Sequence, residues 1–467
     1  MAKPRRLSWV FLSVATVAGL LAVAGPAQAN DTPQPSCGDT VNYNIHLSGN
    51  IGPCSGNGLV IGADGLDIDL NGYSIIGQQD PDEDVGILLD GVSFVRVHNG
   101  TVRGFDAGVS VEGGARNTVE NITARDNRND LMEPFDPRLP LTFPELLQTI
   151  CIYGDGITTF NSSRNTIQNN TVVGNGPYAG ISLVENSDRN VVRNNTVRSN
   201  DVPNLGVTDG MGNPVYVSST TGLHTTAGDP NAVLPSGMCG AADIGSPGMT
   251  RGRTIQDIGI RTEGPGADKS QILGNSVAKS ALAGISVHSY VCMPIPNTPQ
   301  VPEDPNTGTV ITGNSVQTTG ATTSNLDPFA DGIAVLAQGP IGNVTCTSNG
   351  TTIDGNTSTR NFRNGISIGR TSTDNRVRSN TANGNGTDGF RVYANAVDNL
   401  LTYNAGRGNA EHDGHDSNPC NANKWANNTF GTFFILPGPP PCTAPAAAAA
   451  AAPPAEDSAL VSHPARP

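Results

Sequence analysis

The stretch RNTIQNNTVVGNGPYAGISLVENSDRNVVRNNTVRSN (residues 164–200) contains the same pattern twice, at Arg164–Asn175 and Arg189–Asn200. In each copy apolar and polar residues alternate over three positions, and Asn stands before a small residue. Such alternation is typical of short strands, and Asn is typical of the tight turns between them. The stretch therefore predicts short strands joined by turns.

The pattern recurs along most of the chain. The Asn marker appears at Asn170, Asn195, Asn356, Asn380, Asn404 and Asn428, with intervals of 25, 161, 24, 24 and 24 residues. A second marker, Gly before an apolar residue, appears at Gly58, Gly86, Gly108, Gly156, Gly180, Gly259, Gly284, Gly332, Gly365 and Gly389. Units this short cannot each bury an apolar face, so they must stack with their strands parallel. The sequence predicts an all-β solenoid, a single-stranded parallel β-helix of about 10–11 coils with loop insertions.

Three parts of the chain resemble a known group. These are the entry segment Cys37–Gly77, the Asn repeats, and the exit segment HDGHDSNPCNANKWANNTFGT (His412–Thr432). They resemble the secreted right-handed parallel β-helix proteins of bacteria, in the pectate-lyase-like superfamily with NosD-type repeats. The resemblance implies a right-handed coil. Because a shared fold does not fix chemistry, the function has to be argued from a site.

The composition excludes a nucleic-acid binder that works through a basic face. The chain has 41 Asp and Glu against 27 Lys and Arg, a formal charge of −14.

Residues 1–29 read as a signal peptide, with a basic start, an apolar run and the cleavage motif Ala27-Gln28-Ala29. We expect a secreted, extracellular protein with no membrane segment after cleavage, because no second apolar stretch approaches the roughly 20 residues that span a bilayer.

The remaining chain divides into three parts. We expect an N-terminal cap at 30–57, the β-helix with its C-terminal cap at 58–442, and a disordered Pro/Ala-rich tail at 443–467. Caps pinned by disulfides argue against end-to-end growth, so we expect a monomer.

Eight cysteines in a chain that is expected to be exported favour four disulfides. The repeat register favours the pairs Cys37–Cys54 at the entry, Cys420–Cys442 at the exit, Cys292–Cys346 in insertions of consecutive coils, and Cys151–Cys239 by elimination. A metal cluster is disfavoured, since no two cysteines lie within four residues of each other.

Two large insertions break the regular spacing. The gap from the end of a repeat to the next marker is 29 residues from Asn127 to Gly156 and 59 from Asn200 to Gly259, where the usual gap is 5. Both leave the same corner, and excess residues on a solenoid usually build the functional surface. For the shorter insertion, residues 128–150, a degenerate coil is the alternative.

The candidate catalytic residues are carboxylates at that corner. Asp155, Asp331 and Asp388 each stand directly before the Gly marker, and a polysaccharide lyase or hydrolase needs converging carboxylates. Asp-Gly is also a good turn pair, and this structural interpretation is favoured. A second candidate set, at the end of the longer insertion, is Asp257 with Arg251 or Arg253.

Two acidic segments are candidate metal sites. Asp80, Asp82, Glu83 and Asp84 supply four carboxylates that would suit Ca²⁺, although a solvated turn is favoured. The segment Glu411–Asp416 holds two His and three carboxylates, but its match to the exit pattern favours a cap on the last coil. We expect no metal and no cofactor, with Ca²⁺ needed only by a lyase. Trp425 takes an inward position and is expected in the core.

Two hypotheses of function follow. The first, favoured because no acid/base constellation stands out, is a protein that binds extracellular polysaccharide or another surface through its loop-bearing face. The second is a carbohydrate-active enzyme, a polysaccharide lyase or glycoside hydrolase, with its site on the coils near the large insertions. An enzyme should show at least two carboxylates roughly 5–10 Å apart, or a carboxylate cluster with Arg, in one groove.

Overall fold

The computed structural model describes residues 34–78, 84–127, 155–175, 179–198, 258–264, 266–280, 283–289, 306–319, 331–337 and 348–437, and the backbone of three short strands between 216 and 233. All belong to the unit Gln34–Pro467. The predicted signal peptide and tail lie outside these residues. None of the described segments forms a helix with the length and hydropathy needed to cross a bilayer.

The first sheet of the described chain is a ladder of 13 strands in which every neighbouring pair is parallel. Its strands are β1 (Asp39–Val41), β4 (Leu59–Ile61), β7 (Val85–Asp90), β9 (Ala107–Glu112), β11 (Ile157–Phe160), β14 (Ala179–Val184), β20 (Ile258–Glu263), β23 (Ile285–Ser289), β27 (Ile333–Ala337), β31 (Ile366–Ile368), β34 (Phe390–Val392), β37 (Gly414–Pro419) and β40 (Phe433–Leu436).

Two further parallel ladders complete each coil. The second consists of β2 (Ile45–His46), β5 (Asp67–Asp69), β8 (Arg96–Arg103), β10 (Thr118–Arg125), β12 (Thr166–Gln168), β15 (Val191–Arg193), β21 (Gln271–Leu273), β25 (Val310–Thr312), β29 (Thr352–Asp354), β32 (Arg376–Arg378), β35 (Leu400–Thr402) and β38 (Lys424–Ala426). The third shares the long strands β8 and β10 and adds β3 (Ile51–Cys54), β6 (Ser74–Gly77), β13 (Thr171–Val173), β16 (Thr196–Arg198), β22 (Ser276–Ala278), β26 (Ser315–Gln317), β30 (Thr357–Thr359), β33 (Thr381–Asn383), β36 (Ala405–Arg407) and β39 (Thr429–Phe430).

Five short strands lie outside the three ladders. They are β17 (Tyr216–Ser218), β18 (His224–Thr225) and β19 (Ala232–Val233), which pair antiparallel, and β24 (Asn306–Thr307) and β28 (Ser348–Asn349), which pair in parallel. The three stacked ladders confirm the predicted parallel β-helix.

The ladder is longer than the 10–11 coils expected from the Gly markers. Three of its 13 strands begin without a Gly-apolar pair, at Gly38-Asp39, Asp413-Gly414 and Thr432-Phe433. Val109 in β9 pairs directly with Ile157 in β11. These two strands are thus direct neighbours in the ladder. Residues 128–150, for which an insertion and a degenerate coil are the alternatives, lie outside the described residues.

The Gly marker has a steric cause. A Cβ on Gly365 would lie 2.7 Å from Ala382 Cβ and 2.7 Å from the carbonyl oxygen of Gly389 in the next coil. A side chain at this position would point into the narrow interior, where the following Ile366 is already buried. Only Gly allows the chain to pass this corner so close to the opposite ladder.

The Asn marker forms a buried ladder of side chains. Asn380 Oδ1 accepts hydrogen bonds from the backbone amide (2.8 Å) and the side chain (2.9 Å) of Asn356 in the preceding coil. Its own Nδ2 donates to Asn404 Oδ1 at 3.0 Å and to the Ile353 carbonyl at 2.9 Å. Buried backbone groups at this corner are thereby paired, which a buried turn requires.

Disulfides are present at both ends of the described chain. Cys37 and Cys54 are joined by an S–S bond of 2.04 Å. Cys420 is also disulfide-bonded, and its predicted partner Cys442 lies outside the described residues. The other predicted pairs, Cys151–Cys239 and Cys292–Cys346, lie outside them as well.

We predict that Asn380→Ala lowers the free energy of unfolding by about 2–5 kcal/mol, because the Asn356 amide and the Ile353 carbonyl lose buried partners. Asn383→Ala is the matched control, since this side chain faces outward from β33 in the same coil. Denaturant unfolding of both variants checks this, and equal losses would contradict a special role of the ladder.

Candidate functional site

The outward positions of the first sheet line up from coil to coil. In register they are Ser110, Thr158, Ser182, Arg261, Ser286, Ala334, Ser367, Arg391 and His415, which we call the outward column. Most members are small. The charged or imidazole side chains at Arg261, Arg391 and His415 mark two places where the column can do chemistry.

The first place is the central cluster, formed by Asp155, Ser182, Arg261, Glu263 and His288. Asp155 stands at the corner before β11, where its Oδ1 accepts from the Ala179 amide at 2.7 Å. Its Oδ2 accepts from the Ser182 hydroxyl at 2.6 Å. The corner aspartate is thus tied to the outward face of the next coil.

The other members come from the two following coils. Arg261 Nη2 lies 2.5 Å from Glu263 Oε1 and 3.3 Å from His288 Nδ1. The four ionisable residues are excluded from solvent, with exposed fractions of 0% for Asp155, 9% for Arg261, 2% for Glu263 and 4% for His288. A positive charge, an imidazole and two carboxyl groups therefore share one dry region.

Exclusion from solvent shifts the pKa values of the cluster. Burial raises the pKa of Asp155 to about 7, against the lowering effect of its hydrogen bonds from Ser182 and Ala179. Burial, and then the charge of Asp155, raise the pKa of Glu263 well above its usual value.

The imidazole shifts in the other direction. Burial, and then the charge of Arg261, lower the pKa of His288 well below its usual value. Burial therefore favours the uncharged form of all three groups, the protonated carboxyls of Asp155 and Glu263 and the neutral imidazole of His288. Shifts in opposite directions are typical of acid and base pairs at active sites.

The second place is the C-terminal cluster, formed by Asp388, Arg391, Glu411, His412 and His415. Asp388, at the corner before β34, accepts from Arg391 Nη1 at 2.8 Å and lies 3.2 Å from Nδ1 of each histidine. Burial alone would raise the pKa of Asp388, but the hydrogen bonds from His415 and Arg391 outweigh it and lower the pKa. A ligand atom from each of Asp388, Glu411, His412 and His415 lies within 4.8 Å of all the others, so this cluster is the one able to hold a metal among the described residues.

The exit segment has two structural residues among its candidate ligands. Asp413 Oδ2 accepts from the Gly431 amide at 2.8 Å, and Asp416 Oδ2 accepts from Trp425 Nε1 at 2.9 Å. These two aspartates hold the last coils together, as the cap interpretation expects. Trp425 is buried in the core. His412 and His415 instead contact Asp388 of the preceding coil.

The remaining predicted site residues do not join either cluster. Asp331 accepts from the backbone amide of Asn364 at 3.0 Å and from its side chain at 2.9 Å, as expected for a turn residue. Asp84 is fully buried and its Oδ1 accepts from the Asp106 amide at 2.8 Å. The other candidates, Asp80, Asp82, Glu83, Arg251, Arg253 and Asp257, lie outside the described residues.

Sequence reasoning missed Arg261, Glu263 and His288, although a signal was present. Two and four residues after the Gly marker, most coils carry small or apolar residues, as in Gly180-Ile-Ser-Leu-Val. After the next marker, Gly259, the second residue is Arg261 and the fourth is Glu263. Arg261 is therefore a charged residue whose register partners in the two adjacent coils, Ser182 and Ser286, are serines, and this contrast indicates the cluster.

The model of the right-handed β-helix region family matches residues 46–231. No curated protein matches the chain by sequence. Together with the three parallel ladders, the family match supports a right-handed coil.

Several solved structures are similar to the chain. The mannuronan C-5 epimerase AlgE4 A-module of Azotobacter vinelandii is 10% identical, with 87% of this chain and 80% of that chain covered and a TM-score of 0.46. The periplasmic alginate epimerase AlgG is 12% identical, with 81% and 70% covered and a TM-score of 0.44. A DFA-IIIase mutant from Arthrobacter chlorophenolicus A6 is 9% identical, with 74% and 68% covered and a TM-score of 0.42. These likenesses concern the fold alone.

We predict that Asp155→Asn changes how stability depends on pH. Because the pKa of Asp155 is raised, the folded state keeps a proton between about pH 4 and 7 that the unfolded chain releases. The bound proton stabilises the folded state at low pH, and this contribution to the free energy of unfolding is lost as the pH rises from about 4 to 7. From about pH 5 to 8, the variant should therefore gain roughly 2–3 kcal/mol relative to wild type. Denaturant unfolding at both pH values checks this, and parallel profiles would contradict a raised pKa.

Proposed function

The chain is a right-handed parallel β-helix protein, and we propose that it is a carbohydrate-active enzyme, a polysaccharide lyase or glycoside hydrolase, with its site at the central cluster. One observation carries the proposal: Asp155, Arg261, Glu263 and His288 share a dry region on the outward face of consecutive coils. A carboxylate cluster with Arg is what distinguishes an enzyme from a binding module in the sequence argument.

The protonation states give each group a role. Burial favours the protonated forms of Glu263 and Asp155, and either carboxyl can donate its proton to the oxygen of a scissile glycosidic bond. Burial favours the neutral imidazole of His288, which can accept a proton from a substrate carbon or from water. Arg261 stays charged and can neutralise a uronate carboxylate or negative charge that develops during the reaction.

The expected location of the protein favours a polysaccharide as substrate. The outward column itself is not an open binding face, because its members from Ser110 to Ser367 are buried. The predicted signal peptide would put the protein outside the cell, where polysaccharides are available. The chain's formal charge of −14 favours a neutral glycan, or a uronate polymer held through Arg261 or a bridging cation such as Ca²⁺.

Binding without catalysis is the second candidate function. It is favoured by the low exposure of the cluster, at most 9% for its four ionisable residues. A substrate must reach reacting groups, whereas a binding surface for extracellular polysaccharide can use the rest of the loop-bearing face.

We expect the full chain to release reducing sugar, or the ultraviolet-absorbing unsaturated product of a lyase, from one member of a polysaccharide panel tested with and without Ca²⁺. Glu263→Gln and His288→Gln should each lower kcat/KM roughly 10²–10⁴-fold, because each removes one proton-transfer group. The type of product distinguishes elimination from hydrolysis.

Glu112→Gln is the matched control. Glu112 occupies the strand position of Glu263 three coils earlier in the same ladder, outside the cluster. It should retain wild-type activity. If no polysaccharide is cleaved but one retards the protein in an affinity gel, the binding function replaces the enzyme.

A further inference from the structure

The C-terminal cluster has the ligand set of a transition-metal site and does not belong to the central cluster. Asp388 comes from one coil, and Glu411, His412 and His415 come from the next. Ligand atoms from the four residues lie within 4.8 Å of one another. Two imidazoles with two carboxylates suit Zn²⁺ and its neighbours, whereas Ca²⁺ prefers oxygen ligands alone.

The spacing of the donor atoms fits a tetrahedral ion. His412 Nδ1 lies 3.2 Å from Asp388 Oδ1, and His415 Nδ1 lies 3.2 Å from Asp388 Oδ2. Ligands about 2.0–2.1 Å from a tetrahedral Zn²⁺ are roughly 3.3–3.4 Å apart. The two distances end on different oxygens of Asp388, and the four ligand atoms lie within 4.8 Å of one another, so side-chain movements of about 1 Å would bring them around one ion.

The donors are also held in place. The His412 backbone amide donates to Asp388 Oδ1 at 3.1 Å, and Asp388 is 1% exposed. The Phe434 ring packs against both imidazoles, with centroid distances of 5.4 Å to His412 and 4.7 Å to His415. Ligands oriented by their neighbours in this way are typical of metal sites.

Arg391 occupies part of the same space. Its Nη1 lies 2.8 Å from Asp388 Oδ2 and 2.5 Å from His415 Nδ1. A metal ion would compete with this guanidinium for both groups and would replace its charge beside Asp388. The Arg391 side chain is 21% exposed and lies over the Tyr393 ring, so it can withdraw from His415 toward solvent.

We propose that Asp388, Glu411, His412 and His415 bind one transition-metal dication of the Zn²⁺ class, in exchange for the Arg391 contacts. The ion links the coil of β34 to the coil of β37 at the C-terminal end of the first sheet. This site is independent of the proposed enzyme, whose residues lie three or more strands earlier in the ladder.

The test is calorimetric titration of the tag-free full chain with ZnCl₂ after treatment with a chelator. We expect one Zn²⁺ per chain. His412→Ala and His415→Ala should each weaken binding at least roughly tenfold, and so should Glu411→Ala, which alters an exposed side chain and leaves the coil intact. Arg391→Ala should strengthen binding, because it removes the competing cation.

His46→Ala is the matched control. This histidine also pairs with an aspartate of the next coil, Asp69 at 2.9 Å, but lies on the second ladder near the N-terminus. It should leave Zn²⁺ binding unchanged. The proposal is overturned if wild type and Arg391→Ala both fail to bind Zn²⁺, or if the His412→Ala/His415→Ala double variant binds it as tightly as wild type.

Discussion

Each coil of this solenoid has to turn three corners while its backbone amides and carbonyls are buried between neighbouring coils. At the corner between the second and third ladders this is done by one continuous row of asparagines: Asn170, Asn195, Asn275, Asn314, Asn356, Asn380, Asn404 and Asn428. Each side chain pairs with backbone of the coils around it, so the corner keeps two residues in every one of these coils. The two large insertions both leave the corner between the third and first ladders, where the row is interrupted at Ser280 and Thr319 in the described residues.

The corner that carries the insertions uses aspartate in several ways. Asp155 and Asp388 occupy equivalent positions before the Gly marker, yet their pKa values shift in opposite directions. Asp155 receives a hydroxyl and an amide, which do not offset its burial. Asp388 receives Arg391 and His415, whose hydrogen bonds and charges do offset it. The outward residues of the surrounding coils therefore decide the chemistry of a corner carboxylate.

Features that are local in the sequence could be predicted from it, whereas features that arise from contacts between coils could not. The fold follows from local features, since alternating strands, Asn corners and Gly markers recur at a fixed period. The central cluster depends on register between coils that are distant in sequence, because Arg261 meets Ser182 only across the longest insertion. The Gly180 and Gly259 markers already align Ser182 with Arg261 in the sequence. The chemistry of the cluster, however, depends on side-chain contacts that the sequence does not show. Likewise the exit segment predicted a cap, and Asp413 and Asp416 form it. His415 lies in β37 and His412 two residues before it, and both meet Asp388 only through contact with the preceding coil.

The central cluster also differs in energetic terms from the other charged pairs of the solenoid. Pairs on the second ladder keep their arginines solvated, with side chains 48% exposed at Arg96 and 62% at Arg378, and such exposed pairs change stability little. Arg261, Glu263 and His288 are excluded from water, and burying such groups costs several kcal/mol that well-packed apolar residues would not. Neighbouring coils show that Ser, Ala or Val is enough at these outward positions for the ladder to form. Since the fold does not require this cost, we attribute the cluster to function and place the proposed chemistry there.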